Sequence, residues 1–136
     1  FKLPDERLMY TPLRTYAEPG ALQTSDGMVT PVGLAFAICA DALDGAAPER
    51  QFAIDDVRGW VFTRGDEHVA FLWPTRIAPS EEAAGAPAAQ EATLPIEATG
   101  RVRHFGMTGD YEEVSADATE VTVRPGANVL VGEFSL

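Results

Sequence analysis

Residues 58–73 join two apolar runs, Arg58-Gly-Trp-Val-Phe-Thr-Arg64 and Glu67-His-Val-Ala-Phe-Leu-Trp73, across a short polar turn. Gly65-Asp66 supplies a two-residue loop with glycine at its first central position, which suits a type II′ turn whose twist matches antiparallel strands. That turn predicts the register: Arg64 faces Glu67, Phe62 faces Val69, Trp60 faces Phe71 and Arg58 faces Trp73. Side chains alternate along a strand, so one face carries Trp60, Phe62, Val69, Phe71 and Trp73, and the other Val57, Val61, Ala70 and Leu72. A hairpin apolar on both faces needs cover on both, which puts it centrally in a sheet of a layered β domain.

The flanking sequence supplies candidates for that cover. Residues 1–29 mix Pro4, Pro12, Pro19 and Gly20 with scattered apolar side chains and read as an irregular arm, with short strands expected at Leu8–Tyr10 and Leu13–Tyr16 and a turn at Ser25-Asp-Gly27. A helix follows within residues 30–46: Thr30 fits an N-cap, Pro31 the first helical position, and Gly45 the C-terminal stop. Leu34, Ala35, Ile38 and Ala42, with Phe36, Cys39 and Leu43 one row over, make an apolar stripe too broad for a solvent-facing helix, so the helix is expected to be largely buried. Asp41 and Asp44 mark its wet side. From Gln51 to the end the pattern is that of strands, interrupted at 78–92 by a stretch without large apolar residues that reads as a surface loop. Strand-like runs follow at 92–98, 101–105, 111–114, 119–123 and 128–134, divided by Gly100, Gly106, Gly109 and Pro125-Gly126. The expected fold is mainly β: a two-layered antiparallel β-sandwich of about seven strands over 51–136, with one packed N-terminal helix.

Charge and cysteine usage exclude several functions. The chain has 136 residues, one domain by size, and carries a formal charge of −11, so no basic face exists to displace phosphate counterions from a nucleic acid. An anionic membrane surface is disfavoured for the same reason, and no apolar run approaches the roughly 20 residues of a membrane-spanning helix. The single Cys39 rules out an internal disulfide framework and leaves the compartment open. Phe1 in place of a starting Met suggests a processed, excised or truncated product.

No catalytic signature stands out. The adjacent acids Asp55-Asp56, Glu81-Glu82 and Glu112-Glu113 would point to opposite faces of a strand, so none forms a carboxylate dyad by itself. His68 and His104 are the only neutral-pH bases, and they would need a shared pocket to work as a small enzyme. Neither has a metal-ligand spacing, and no metal is expected. The chain lacks a nucleophile elbow, a phosphate loop and a dinucleotide fingerprint, so no cofactor is expected. Arg64-Gly-Asp66 spells an adhesion tripeptide, yet the hairpin turn already demands those residue types. Trp60, Trp73 and Tyr111 are the candidate ligand-binding residues, because exposed aromatics can stack on sugar rings. The two tryptophans share the hairpin face with Phe62, Val69 and Phe71, which favours packing in the sandwich core or an interface, and Tyr111, between Asp110 and Glu112, is the better exposed candidate.

Over residues 26–136 the order of elements resembles the end of a glycoside hydrolase in which a catalytic barrel is followed by a small β-sandwich. In that family the last barrel helix has the form Pro-x-x-x-Ala-x-x-x-x-x-x-x-Leu-x-Gly, similar to Pro31-Val-Gly-Leu-Ala35 followed by Leu43-Asp-Gly45. Gly59-Trp-Val-Phe62, the charged turn Arg64–Glu67 and Val69–Trp73 resemble the Gly-aromatic-x-Phe strand, charged turn and Trp-ending apolar strand typical of that sandwich. Val102–Gly109 resembles the later Val-x-x-x-Asp-x-x-Gly turn, with Gly106 in place of Asp, and Asn128-Val-Leu130 stands where Pro-x-Tyr is usual. The resemblance implies a non-catalytic accessory module that packs against a catalytic barrel, or pairs with a second copy, through an exposed apolar patch on the helix or arm. The catalytic carboxylates would then lie on barrel strands outside this chain. The alternative is a carbohydrate-binding module.

Overall fold

A computed structural model describes residues 22–23, 27–78, 88–107 and 109–136. Helix α1 spans Pro31–Leu43, and the strands are β1 (Ala47–Ile54), β2 (Val57–Arg64), β3 (Glu67–Pro74), β4 (Ile77–Ala78), β5 (Ala88–Ala89), β6 (Ala92–Pro95), β7 (Glu97–Gly106), β8 (Tyr111–Val114), β9 (Glu120–Val123) and β10 (Asn128–Ser135). Six strands form one antiparallel sheet in the order β1-β2-β3-β10-β7-β8, and β6 pairs with β9 in a second, smaller sheet. These eight strands are the two layers of a β-sandwich, close to the number expected. β4 and β5 form a separate two-residue ribbon at the base of the expected 78–92 loop. The expected strands at Leu8–Tyr10 and Leu13–Tyr16 lie outside the described residues, as does most of the arm; its end forms a bridge between Gln23 and Val29.

The β2–β3 hairpin has the register its turn chemistry dictates, with Arg64 opposite Glu67 and Trp60 opposite Phe71. Gly65 sits at φ +60°, and Asp66 is not among the residues with positive φ, as a type II′ turn requires. β3 does not stop at this hairpin: its other edge pairs with β10, Leu72 opposite Asn128 and Ala70 opposite Leu130. The last strand of the chain thereby enters the sheet beside the hairpin, and β7 closes on its far side.

Both faces of the hairpin are covered, by different means. Val57, Val61, Ala70 and Leu72 meet Leu94, Val121 and Val123 of the small sheet, together with Phe52, Val102, Leu130 and Phe134, in the main core. On the other face Val69, Val129 and Val131 are buried beneath α1, packed with Ala42 and flanked by Ile38, Phe62, Phe71 and Phe105. Each such fully buried valine contributes about 1.5–3 kcal/mol relative to exposure, so α1 is a structural necessity for this face.

The helix begins as its sequence indicates: Thr30 Oγ1 accepts a hydrogen bond from the Gly33 N–H at 3.1 Å and Pro31 occupies the first turn. It carries no basic residue in its last turn. The hairpin supplies one instead. Arg64 Nη1 donates to the Asp41 carbonyl at 2.9 Å and Nη2 to Glu67 Oε2 at 3.0 Å. A guanidinium thus satisfies a terminal carbonyl and complements the negative helix end. The adhesion-like tripeptide is a turn whose arginine caps a helix.

The expectation of a largely buried helix is corrected. Only Gly33 and Ala42 are buried, whereas Phe36 is 62%, Val32 47% and Leu43 40% exposed. At about 100° per residue, Val32, Phe36 and Leu43 cluster about a third of a turn round the helix from Ile38 and Ala42. The sheet covers one margin of the broad stripe and leaves the other exposed.

A glycine sets how closely the hairpin and β1 pack. A methyl group added at Gly59 would overlap the Phe71 carbonyl and lie 2.9 Å from the Phe52 ring, which covers this glycine. Gly59→Ala is expected to destabilise the fold by about 1–3 kcal/mol in urea denaturation, since neither obstruction is a flexible chain end. A variant as stable as the parent would contradict this packing.

Candidate functional site

Two regions bring together side chains beyond the needs of a core: the helix-side face of the large sheet, and a polar cluster at the β7–β8–β10 edge. The first follows from register alone. Gln51, Trp60, Phe71, Val129, Phe105 and Tyr111 are successive cross-strand neighbours, forming one transverse row on the helix-side face. Val129 at the middle of the row is fully buried, whereas Trp60 and Tyr111 towards its ends are 43% and 50% exposed. Trp73, one step diagonal from Trp60 on the same face, is 38% exposed.

The candidate residues therefore fall on one face but not in one site. Trp60 and Trp73 neighbour each other on the hairpin, beyond the area α1 covers. Their assignment to sandwich core is corrected: the core lies on the opposite face, and Phe62 and Phe71 do the packing beneath the helix, in an edge-to-face contact at 5.8 Å. Tyr111 lies four strands from Trp60 and packs on Phe105 at 5.2 Å, which fixes its ring against the sheet. Between helix and sheet on the β7 side runs a groove of about 230 Å³ lined by Ala37, Ile38, Asp41, Ala42, Phe105 and Val131. Cys39 is half-buried with its Sγ 4.0 Å from Met107 Sδ, and burial pushes its thiol up from the ordinary value, away from nucleophilic use.

The polar cluster centres on His104, whose side chain is fully buried on β7. Its Nδ1 is 2.9 Å from Glu112 Oε1 and its Nε2 is 2.8 Å from Asn128 Oδ1. Glu112 Oε2 accepts from Arg124 Nη2 at 3.0 Å, and Arg124 Nη1 lies 3.9 Å from Asp110 Oδ2. Asn128, also fully buried, ties the β9–β10 turn together: its Nδ2 donates to the carbonyls of Arg124 and Gly126, and its Oδ1 accepts from the Arg124 N–H. Among the described residues no buried side-chain polar atom lacks a partner. The hydrogen bond from His104, followed by its charge and that of Arg124, holds the Glu112 carboxyl below its ordinary value against the opposing effect of burial.

His68 belongs to different surroundings. It lies 3.5 Å from Glu49 Oε2 and lines a small pocket with Arg50, Val61 and Phe134. The two histidines stand two strands apart and share no partner, so the joint histidine site is not formed.

Of the acidic pairs, Glu81-Glu82 lies outside the described residues and Glu112-Glu113 sits on β8. Asp55-Asp56 is the two-residue turn between β1 and β2, with Asp55 at φ +48°. Asp55, Asp56 and Glu91 line an open cleft of about 340 Å³ with Arg76, Ala92, Thr93 and Thr122. Ala92 is the only apolar residue of that lining, so the cleft lacks the apolar wall that keeps a carboxyl protonated for general-acid work. Among the described residues no cluster of His, Cys, Asp or Glu has the form of a metal site.

The chain matches no family model, no curated protein and no solved structure.

The Glu112 carboxylate makes stability sensitive to acid. A group whose value is lowered by folding stabilises above its unfolded value, and that contribution is lost as the pH falls through the lowered folded value. Urea denaturation between about pH 5 and pH 3 is expected to show stability falling. Glu112→Gln should flatten that fall while retaining the fold, because the Glu112 side chain is 46% exposed. An identical acid slope in the variant would exclude Glu112 as a source.

Proposed function

We propose that the chain is a non-catalytic β-sandwich module, of the kind that accompanies the barrel of a glycoside hydrolase, and that α1 packs on such a barrel through its outer face. The observation that carries this reading is the half-covered apolar stripe of the helix. Its inner flank, Ile38 and Ala42, meets the sheet, while Val32, Phe36 and Leu43 on the outer flank remain exposed alongside Met28 and Val29. Scattered surface apolar residues need no explanation, but a contiguous set on one element marks an interaction face. The resemblance of Pro31–Gly45 and Gly59–Trp73 to the barrel-to-sandwich junction supports the barrel as the partner. In this reading α1 is a wedge, joined to the sandwich by Arg64 and open to a second body on its exposed flank.

Exposure of Trp60 and Trp73 on one face supports a second reading, carbohydrate binding by stacking, with Tyr111 too distant to join the same sugar ring.

The outer helix face separates these readings. Phe36→Asp should leave the stability of the isolated chain within about 0.5 kcal/mol of the parent, as expected of an exposed position. The same change in a polypeptide that includes the barrel should detach the module, seen as separate unfolding transitions in calorimetry. That polypeptide should carry about 250 residues of alternating strand and helix ahead of Phe1 in the reading frame. Self-association of the isolated chain that Phe36→Asp abolishes would point to a second copy in place of the barrel. Saturable binding of oligosaccharides, lost in Trp60→Ala and retained in Phe36→Asp, would favour the carbohydrate reading.

A further inference from the structure

Hydrogen-bond accounting at His104 fixes its protonation. The orientation of Asn128 is set by three backbone contacts: only its Nδ2 can donate to the Arg124 and Gly126 carbonyls, and only its Oδ1 can accept from the Arg124 N–H. Asn128 Oδ1 therefore faces His104 Nε2 as an acceptor, at 2.8 Å. Glu112, whose other oxygen accepts from Arg124, faces Nδ1 as an ionised acceptor at 2.9 Å. A neutral imidazole has one N–H and one lone pair, so either tautomer would aim a lone pair at an oxygen inside the fold. Only the imidazolium donates on both sides.

The strand that this ring holds lies at the edge of the sheet. β8 is the outermost strand of the six-stranded sheet and has only four residues, none of them buried. Its backbone pairs with β7 along one edge, Glu112 opposite His104. On one face Tyr111 packs on Phe105; on the other Glu112 meets His104 and Arg124. Arg101 also pairs with Glu113 at 2.7 Å on the exposed side and Val114 packs against the core, whereas the charge-assisted Glu112–His104 bond reaches a fully buried side chain.

We propose that His104 is a buried imidazolium whose two N–H groups latch edge strand β8 and the β9–β10 turn to the sheet. The charged groups facing the ring are Glu112 from β8 and, through it, Arg124 from the β9–β10 turn, with Asp110 behind Arg124. From β10 the ring meets the neutral Asn128 and, across the strand pair, Leu130. A ring with a single N–H would aim a lone pair at one of the two oxygens and lose one of these buried contacts. Opening β8 would unpair the outer edge of β7 and free Tyr111 on the helix-side face, so the latch also governs one margin of that surface. It operates whether or not the helix docks on a barrel.

Long-range proton–nitrogen NMR on the whole chain at neutral pH reads the ring directly: both His104 nitrogens should have imidazolium-type shifts, and a pyridine-type nitrogen on His104 would overturn the proposal. Glu112→Gln keeps an acceptor but removes the charge, and in that variant β8 amides should lose hydrogen-exchange protection by at least about tenfold relative to β3 amides. Unchanged relative protection would equally overturn it.

Discussion

Two neighbouring strands in the middle of the large sheet, β3 and β10, carry apolar side chains on both faces, and the rest of the structure answers that constraint. Ala70, Leu72 and Leu130 point one way and Val69, Val129 and Val131 the other, all buried. A sheet of this kind loses about 1.5–3 kcal/mol for each such large side chain left in water, so neither face can stand open. The small β6–β9 sheet closes one face and α1 the other. Arg64 at the hairpin turn then anchors the end of α1, so the covering helix and the covered hairpin are held by the same residue.

The two covers differ in completeness. On the sandwich side the core is closed, and its one polar inclusion, His104 with Asn128, is fully bonded. Among the described residues a single helix lies over this face of the six-stranded sheet, with Trp60, Trp73 and Tyr111 exposed beside it and Phe36 exposed on its outer flank. One helix about 10 Å wide spans roughly two strand spacings, so uncovered margins are a geometric necessity. Margins need not be apolar, however. That they carry two indoles and a phenol, and that the helix repeats apolar residues on its outer side, is what gives this face its functional interest.

Much of the sheet was legible because its information is local. The Gly65-Asp66 turn and period-two alternation gave the whole hairpin register, and Thr30-Pro31 gave the helix start to the residue. What escaped depends on contacts far apart in sequence. Whether an apolar helix residue is buried depends on how much sheet lies beneath it, so the breadth of the α1 stripe overstated its burial. Trp60 and Trp73 alternate as core residues do, yet they lie on the face that the helix covers only in part. Asn128 reads as an ordinary turn residue; nothing local announces that its amide will orient a buried histidine 24 positions away. Asp55-Asp56 lacks the glycine that usually marks a two-residue turn, and aspartate's tolerance of left-handed backbone conceals it.

The central claim is that the apolar stripe of α1 has two flanks of which the fold uses one. Hydroxyl-radical footprinting of the isolated chain, read by mass spectrometry, tests it side chain by side chain. Phe36, which is 62% exposed, should oxidise much faster than Phe52 and Phe134, which are 5% and 3% exposed, with Trp60 also labelled. If Phe36 were protected to the same degree as Phe134, the outer face of α1 would already be covered within the chain, and the account of an interaction surface there would fail.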